Sequence, residues 1–214
     1  MFETSGFEVK PLWQPVLAFW FGEDMKSEDT KSAWPAPFFE QRWFAGGAAL
    51  DAEITEQFGG LVDAALCSEL VDWESKPLSR LALILLLDQF ARNVYRGTAQ
   101  AFAGDHRAVT LVNEGLAIGM DKGLPWAGRV FFYMPLMHAE DLDLQQRGID
   151  CFERARAEAP EAIREKLASN IRFAREHADI IERFGRFPYR NAVLGRESTA
   201  AELAFLEKGP RYGQ

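Results

Sequence analysis

The chain has 214 residues, a hydrophobic fraction of 48% and a formal net charge of −8. These values suit one domain with a sizeable core and disfavour a general attraction to nucleic acid or anionic lipid. The longest apolar run, residues 81–87, is far shorter than the ~20 residues that cross a bilayer, and the first residues lack a basic leader with an apolar core. We therefore predict a soluble cytoplasmic protein that binds neither nucleic acid nor membrane, with one domain over residues 1–214 and tails at 1–14 and 207–214.

Hydrophobic residues recur at spacings of three and four, and alternation of apolar and polar residues is almost absent. This pattern predicts an all-α protein, a multi-helix array of about seven or eight helices joined by short loops. In the first half, Pro15 suits the first turn of an apolar helix that Gly22 ends, and Asp51 can cap the third helix. Residues 25–37 are polar and contain proline, which predicts a loop before an aromatic helix at 38–44.

Proline and glycine mark most of the helix ends predicted in the second half. Pro77 opens the central helix, and Asp105 can cap the next one. Pro125 begins an aromatic helix that Pro135 should interrupt, because proline lacks a backbone donor and its ring clashes with the preceding turn. We expect this break to place His138 close to the central helix. The remaining start and stop signals are Pro160, Gly185 and a capping box from Thr199 to Glu202.

Three distant segments mix apolar and ionic residues, which predicts that they share one polar site. The apolar run at 81–87 leads directly into a polar group, and the same mixture recurs at 135–141 and 183–191. A helix that is apolar all round at one end and ionic at the other spans a core and opens into a polar region. The polar residues of the first segment are Asp88, Gln89, Arg92, Asn93 and Arg96.

The polar residues of the first segment follow one another at helical spacing. Asp88, Arg92 and Arg96 are four residues apart, as are Gln89 and Asn93, so the helix presents a broad polar face. Aspartate four residues before arginine is also an ordinary intrahelical ion pair, which makes structural support the alternative to direct chemistry. The two amides need specific partners, because an unsatisfied buried polar group costs about 1–3 kcal/mol.

A histidine in the second segment is the candidate proton acceptor. His138 shares one face of a helix with Asp141 or, two turns on, with Gln145. A histidine oriented by a carboxylate, here Asp141 or Glu140, is the minimum for a general base. Glu140 points nearly opposite to His138, which argues against a zinc site of the HExxH kind. A hydrogen-bonded structural role is the alternative for His138. His106 and His177 have no obvious partner and are predicted to be surface or structural residues.

Motifs for cofactors, metals and disulfides are absent from the sequence. Cys67 and Cys151 lack a CxxC spacing and have apolar neighbours, so we predict two small buried thiols. There is no glycine-rich phosphate loop, GxSxG elbow or Rossmann fingerprint. We therefore predict no cofactor and no metal site.

Four arginines lie within 14 residues of this acidic chain, at positions 183, 186, 190 and 196. A guanidinium binds a carboxylate or a phosphate through two parallel hydrogen bonds, so the segment suits a small anionic ligand. The alternative is that the arginines neutralise carboxylates and hold the C-terminal segment on the helices. The carboxylates in question are Asp88, Asp105, Glu140 and Asp141.

Two classes of function follow. In the first, the three segments form a pocket that binds, and in an enzyme would transform, a small anionic molecule. In the second, the polar residues are internal struts of a helical scaffold that offers a groove to a peptide or a partner protein. The catalytic candidates are Asp88, His138, Glu140 and Asp141, and the ligand-binding candidates are Gln89, Arg92, Asn93, Arg96, Asp105, Arg186, Arg190, Asn191 and Arg196.

Six ungapped motifs stand in order along the chain, at residues 16–22, 81–93 with Arg96, 101–105, 135–140, 184–191 and 194–199. In these motifs the chain resembles the bacterial family catalogued as domain of unknown function 924, over residues 16–206. The resemblance implies an all-helical fold similar to the tetratricopeptide superfamily, and it implies no activity, ligand or catalytic residue. Tyr189 stands where the family pattern usually has histidine, which counts against a mechanism that needs a pair of histidines.

Overall fold

The structure, a computed structural model, describes residues 11–23, 34–45 and 47–209. These ranges contain nine helices and no strand, which confirms the predicted all-α fold. Most of the loop predicted at 25–37 and the outer parts of both predicted tails lie outside the described residues. The helices are α1 (Trp13–Phe21), α2 (Pro37–Ala45), α3 (Ala48–Leu66), α4 (Pro77–Leu85) continued by a π-helical turn (Leu86–Phe90) and α5 (Ala91–Val94), α6 (Asp105–Ala117), α7 (Trp126–His138), α8 (Leu142–Glu158), α9 (Glu161–Phe184) and α10 (Ala200–Lys208).

Short 3₁₀ turns connect several of these helices. They lie at Val71–Ser75, Ala99–Phe102, Met120–Gly123 and Pro188–Arg190. The turn Ala99–Phe102 brings the chain from α5 to α6, and Met120–Gly123 brings it from α6 towards α7. The turn Pro188–Arg190 belongs to the irregular segment between α9 and α10 that the sequence predicts.

The continuous helix formed by α4, the π-helical turn and α5 lies at the centre of the fold. It begins with Pro77 in its first turn, as predicted, and every residue from Ser79 to Leu87 is buried. α4 contacts α1, α6 and α7, and α3 packs against the π-helical turn and α5. A helix surrounded on all sides has no solvent face, which explains its unbroken apolar run. The π-helical turn follows where the buried run meets the first polar residues, and such turns are frequent at functional sites.

Aromatic side chains from α1, α2 and α7 form one end of the core. The Trp20 and Phe131 rings lie 5.6 Å apart between centroids in an edge-to-face arrangement, and Trp43 packs on Phe131 at 4.8 Å. The Trp43 indole also donates to the backbone oxygen of Trp20 at 2.8 Å. Gly22 ends α1 with a φ of 94°, as predicted, and the Phe39 ring lies against it.

The helix predicted to break at Pro135 continues through it. α7 includes Pro135 and ends at His138, and the chain is extended at Ala139 before α8 begins. Pro135 removes only one backbone hydrogen bond from the helix. The helix ends instead where the side chain of the buried Gln145 donates to the backbone oxygens of Met137 and Ala139. The break is therefore three residues later than predicted. The second half of the prediction is confirmed, because His138 contacts Asp88 of the central helix.

Two predicted helix caps have other partners. α3 begins at Ala48, so Asp51 lies inside its first turn, and α6 begins at Asp105 itself without a side-chain cap. Both carboxylates bind arginines instead. By contrast, the capping box of Thr199 and Glu202 is present, and Gly185 ends α9 with a φ of 69°. A local motif predicts a cap only when no distant cation competes for the carboxylate.

The two cysteines differ in environment. Cys151 is buried, as predicted. Cys67 is exposed, contrary to the prediction, because it follows the last residue of α3 at the turn out of the helix. Its apolar sequence neighbours belong to the buried face of α3, which Cys67 does not share.

Gly104 allows α6 to begin directly against the central helix. A Cβ at this position would lie 2.5 Å from the backbone oxygen of Leu87, which cannot move aside as a flexible side chain can. We expect Gly104→Ala to lower the free energy of unfolding by about 1–3 kcal/mol through overpacking. Urea unfolding followed by far-UV circular dichroism measures this change.

The matched control is Gly60→Ala in α3, where a Cβ would meet nothing within 4 Å. Alanine is better than glycine in a helix by about 1 kcal/mol, so this variant should be slightly more stable than the wild type. Equal effects of the two substitutions would contradict the close approach of Gly104 to Leu87.

Candidate functional site

A buried carboxylate on the π-helical turn is the centre of the largest polar cluster. Asp88 is 1% exposed. Its Oδ1 accepts from His138 Nδ1 at 2.7 Å and from Arg92 Nη2 at 3.1 Å, and its Oδ2 accepts from Gln89 Nε2 at 2.6 Å. The central helix and the end of α7 therefore meet at this one carboxylate.

The third predicted segment joins this cluster through a second carboxylate. Asp105 accepts from Arg92 Nη2 at 2.9 Å and from Arg190 Nη1 at 3.1 Å. Arg190 also donates from Nη2 to the backbone oxygen of His138 at 3.0 Å. We call this set the Asp88 cluster, and its members are Asp88, Gln89, Arg92, Asp105, His138 and Arg190.

Aromatic rings cover the guanidinium groups of the Asp88 cluster. The Arg190 guanidinium carbon lies 4.6 Å from the ring centroids of both Phe102 and Phe187, and that of Arg92 lies 5.2 Å from Phe102. Three buried donors, Arg92 Nε and Nη1 and Arg190 Nε, have no hydrogen-bond partner among the described residues. Contact with the ring faces partly replaces the hydration that these cations lose. The sequence analysis did not single out Phe102 or Phe187, although both lie inside family-like motifs.

The charges around Asp88 keep it ionised. Burial by itself raises the pKa of Asp88, but the charges of His138 and Arg92 and the hydrogen bonds from His138 and Gln89 outweigh it and hold the pKa well below its usual range. An ionised carboxylate can only accept hydrogen bonds, so we assign the proton of a neutral His138 to Nδ1. Nε2 of His138 is then the unprotonated nitrogen and a proton acceptor.

A second histidine lies beside the Asp88 cluster. The His177 ring centroid is 6.2 Å from that of His138, and His177 Nδ1 donates to the backbone oxygen of Phe173 at 2.8 Å. His177 is buried. Of the two predicted alternatives, surface or structural, it is therefore a structural residue. Burial, followed by the charge of His138, lowers the pKa of His177 to about 3. His177 lies three residues after Ala174 and four before Ile181, on the buried face of α9. This helical spacing could have identified His177 as buried from the sequence.

Two residues predicted for the site, Asn93 and Arg96, bind a different carboxylate, Asp51. Arg96 donates to both oxygens of Asp51, from Nε at 2.7 Å and from Nη2 at 2.9 Å. Asn93 Nδ2 donates to Asp51 Oδ1 at 2.8 Å. The hydrogen bond from Arg96 is the main cause of the lowered pKa of Asp51. Asn93 and Arg96 thus fasten α3 to α5 instead of joining the Asp88 cluster.

Glu140 and Arg196 form another two-point ion pair. Arg196 donates from Nη1 to Oε2 at 2.6 Å and from Nη2 to Oε1 at 2.9 Å, and the Phe187 backbone N–H donates to Oε1 at 2.8 Å. Burial opposes ionisation of Glu140, but these donors lower its pKa overall. Asp141, by contrast, caps α8 by accepting from the backbone N–H of Leu144 at 2.9 Å.

The remaining predicted residues hold the segment before α10. Arg186 donates to Glu202 at 2.7 and 2.9 Å and to the backbone oxygen of Glu197 at 2.8 Å. Mainly through the hydrogen bond from Arg186, the pKa of the buried Glu202 falls to about 2. Asn191 donates to Ser198 Oγ at 3.0 Å. Glu202 was predicted as a cap only, and no local pattern indicates that it also binds a distant arginine.

Neither a metal centre nor a membrane span is found in the described ranges. No three side chains of His, Cys, Asp or Glu in these ranges are grouped so that they could hold a metal ion. None of the helices described is long and apolar enough to cross a membrane.

Comparison with known proteins places the chain in a family. Residues 16–210 match the family described as bacterial protein of unknown function, DUF924. The chain is similar to the solved structure of the protein of unknown function ATU0120 from Agrobacterium tumefaciens, with 41% sequence identity, a TM-score of 0.68, and coverage of 78% of this chain and 89% of that one. No curated protein matches the chain. The chain therefore belongs to the DUF924 family of bacterial proteins.

Proposed function

We propose that the Asp88 cluster binds a small anionic molecule beside His138, and that His138 accepts a proton there. The observation that carries this proposal is the hydrogen bond of 2.7 Å between His138 Nδ1 and the buried, ionised Asp88. A carboxylate in this position fixes the tautomer and the orientation of an imidazole and stabilises the imidazolium that forms when the other nitrogen takes a proton.

The outer nitrogen of His138 is available for this role. Nε2 has no hydrogen-bond partner among the described residues, and the side chain is 16% exposed, so the ring reaches the surface. Asp88 behind it is 1% exposed. This arrangement, a buried carboxylate and a partly open imidazole, is the one that a general base requires.

The preference for an anion rests on the two arginines. Arg92 and Arg190 are both largely buried and share Asp105, and Arg92 shares its second carboxylate, Asp88, with His138. Their donors without partners among the described residues are poorly compensated, which makes the region favourable for additional negative charge. A proton taken up by His138 adds to this positive potential.

We assign the other predicted arginines to structure within this proposal. Arg96, Arg186 and Arg196 each bind a carboxylate through two nitrogens, and those pairs hold α3, α10 and the segment between α9 and α10 in place. These two-point ion pairs are the observation that favours the second candidate function, a helical scaffold of the tetratricopeptide kind for a peptide or partner protein. The two candidates differ in what His138 does, which gives the experiment.

A thermal-shift screen with inorganic phosphate, succinate and methanesulfonate tests the proposal. At least one of these anions should raise the Tm of the wild type by several degrees at concentrations far above its Kd, because ligand binding to the folded state alone adds stability. His138→Gln should abolish that rise.

The matched control is His106→Gln, which removes an exposed histidine of another helix and should respond to the anion as the wild type does. Arg186→Ala should lower the Tm without altering the response to the anion. If none of the three anions stabilises the wild type, or if His138→Gln responds like the wild type, the scaffold function replaces the anion site.

A further inference from the structure

A second pocket, of about 490 Å³, lies outside the Asp88 cluster. One wall is the end of α6 with the turn that follows it, residues 116–122. The other wall is one face of α8, because the last three of its lining residues follow the first by three, four and seven positions. They are Arg147, Asp150, Cys151 and Arg154.

A buried aspartate with a fixed orientation lines this pocket. Asp121 is 4% exposed, and its Oδ2 accepts from the Tyr133 hydroxyl at 2.7 Å. Burial, followed by the hydrogen bond to Asp121, raises the pKa of Tyr133, so the phenol stays protonated and keeps donating. The hydrogen bond from Tyr133 occupies Oδ2 and leaves Oδ1 of Asp121 as a further acceptor. The pocket therefore offers a carboxylate that can accept a hydrogen bond from a ligand.

The rim of the pocket is mainly cationic. Arg154 Nη2 lies 4.0 Å from Asp121 Oδ2, and also donates to the Cys151 sulfur at 3.4 Å. Lys122 and Arg147 are exposed and form no ion pair with any described residue. Asp150 is the second carboxylate of the lining. Three cations thus face two carboxylates, and the Cys151 thiol adds no charge because burial raises its pKa.

We propose that this pocket binds a small anion that also carries a hydroxyl group. The carboxylate or phosphate group of such a ligand would lie among Lys122, Arg147 and Arg154, and its hydroxyl would donate to Asp121. An ammonium group could also donate to Asp121, but the three cations disfavour a second positive charge beside it. The volume lies within the range of about 300–1,000 Å³ that small-molecule sites occupy.

Isothermal titration calorimetry of the full chain with paired probes tests this proposal. L-malate and glycerol 3-phosphate should each bind more tightly than their counterparts without the hydroxyl group, succinate and inorganic phosphate. Lys122→Gln and Arg147→Gln should each weaken malate binding about tenfold, the effect of one charge-assisted contact at its lower limit. Asp121→Asn should remove the preference for malate over succinate.

Arg156→Gln is the control for charge, since it makes the same change on the opposite face of α8 and should leave malate binding unaltered. Lys122 and Arg147 are exposed, so their variants should fold and still test the proposal if Asp121→Asn does not fold. His138→Gln should also leave malate binding unaltered. The proposal is overturned if neither hydroxylated probe binds, if Arg147→Gln and Arg156→Gln behave alike, or if His138→Gln abolishes malate binding, which would move the malate site to the Asp88 cluster.

Discussion

Replacing Asp88 with alanine should lower the free energy of unfolding by about 3–5 kcal/mol, the cost of breaking a buried ion pair by removing one partner. Asp88 accepts hydrogen bonds from His138, Arg92 and Gln89, and all three would lose their acceptor in a region that water barely reaches. The buried cation Arg92 would retain only Asp105, which it shares with Arg190. Urea unfolding at pH 7, with wild type and variant compared at equal m-values, measures the difference.

The control for this substitution is Asp179→Ala. Asp179 is an exposed aspartate of α9, and its replacement should change the stability by no more than about 0.5 kcal/mol. Asp88→Asn keeps the volume of the side chain, but it turns one acceptor oxygen into a donor facing other donors, so we expect it to be destabilised nearly as much as the alanine variant. A loss below 1 kcal/mol for Asp88→Ala would show that the cluster does not depend on this carboxylate.

The wild type should lose about 3 kcal/mol more stability between pH 7.5 and pH 4 than a His177→Phe variant does. An unfolded chain protonates an ordinary histidine below about pH 6.5. In the folded protein, burial and then the charge of His138 lower the pKa of His177 to about 3, and Arg190 and Arg92 act in the same direction. Between these two pH values only the unfolded state binds the proton, so stability falls as the pH falls.

Urea unfolding at a series of pH values measures this effect as a difference in slope. Phenylalanine resembles histidine in ring size and cannot titrate, so other acidic and basic groups contribute equally to both proteins. His106→Gln is again the control, because it removes an exposed histidine and keeps the buried His177. Parallel pH profiles of wild type and His177→Phe would mean that His177 is protonated in the folded protein, contrary to its burial.

The candidate site was predicted from the sequence in part. Three segments were predicted to share one polar site, and His138 of the second does contact Asp88 of the first and Arg190 of the third. Asp141 or Glu140 was predicted as the carboxylate partner of His138, whereas the structure pairs His138 with Asp88, 50 positions away. Helical spacing identifies neighbours along one helix, and it contains no information about which carboxylate a second helix brings closer.

The residues that the sequence analysis missed have their partners at long range. Asp51 binds Arg96, which follows α5, and Glu202 binds Arg186, so the role of each depends on a segment farther along the chain. Phe187 matters through the guanidinium and the imidazole that its ring contacts. Composition predicted an aromatic core, but not which ring lies over which cation.

The sequence by itself determined the all-α fold and most helix boundaries. Apolar spacing is a property of one helix, and signals such as Pro77, Gly185 and the capping box at Thr199 act within one turn, so neighbours in the chain suffice to predict them. Only the tertiary structure decided which carboxylate each arginine and histidine binds. Asp51, Asp88 and Asp105 are alike in sequence, and their ionic partners depend on how helices pack, because charges interact through space and not along the chain.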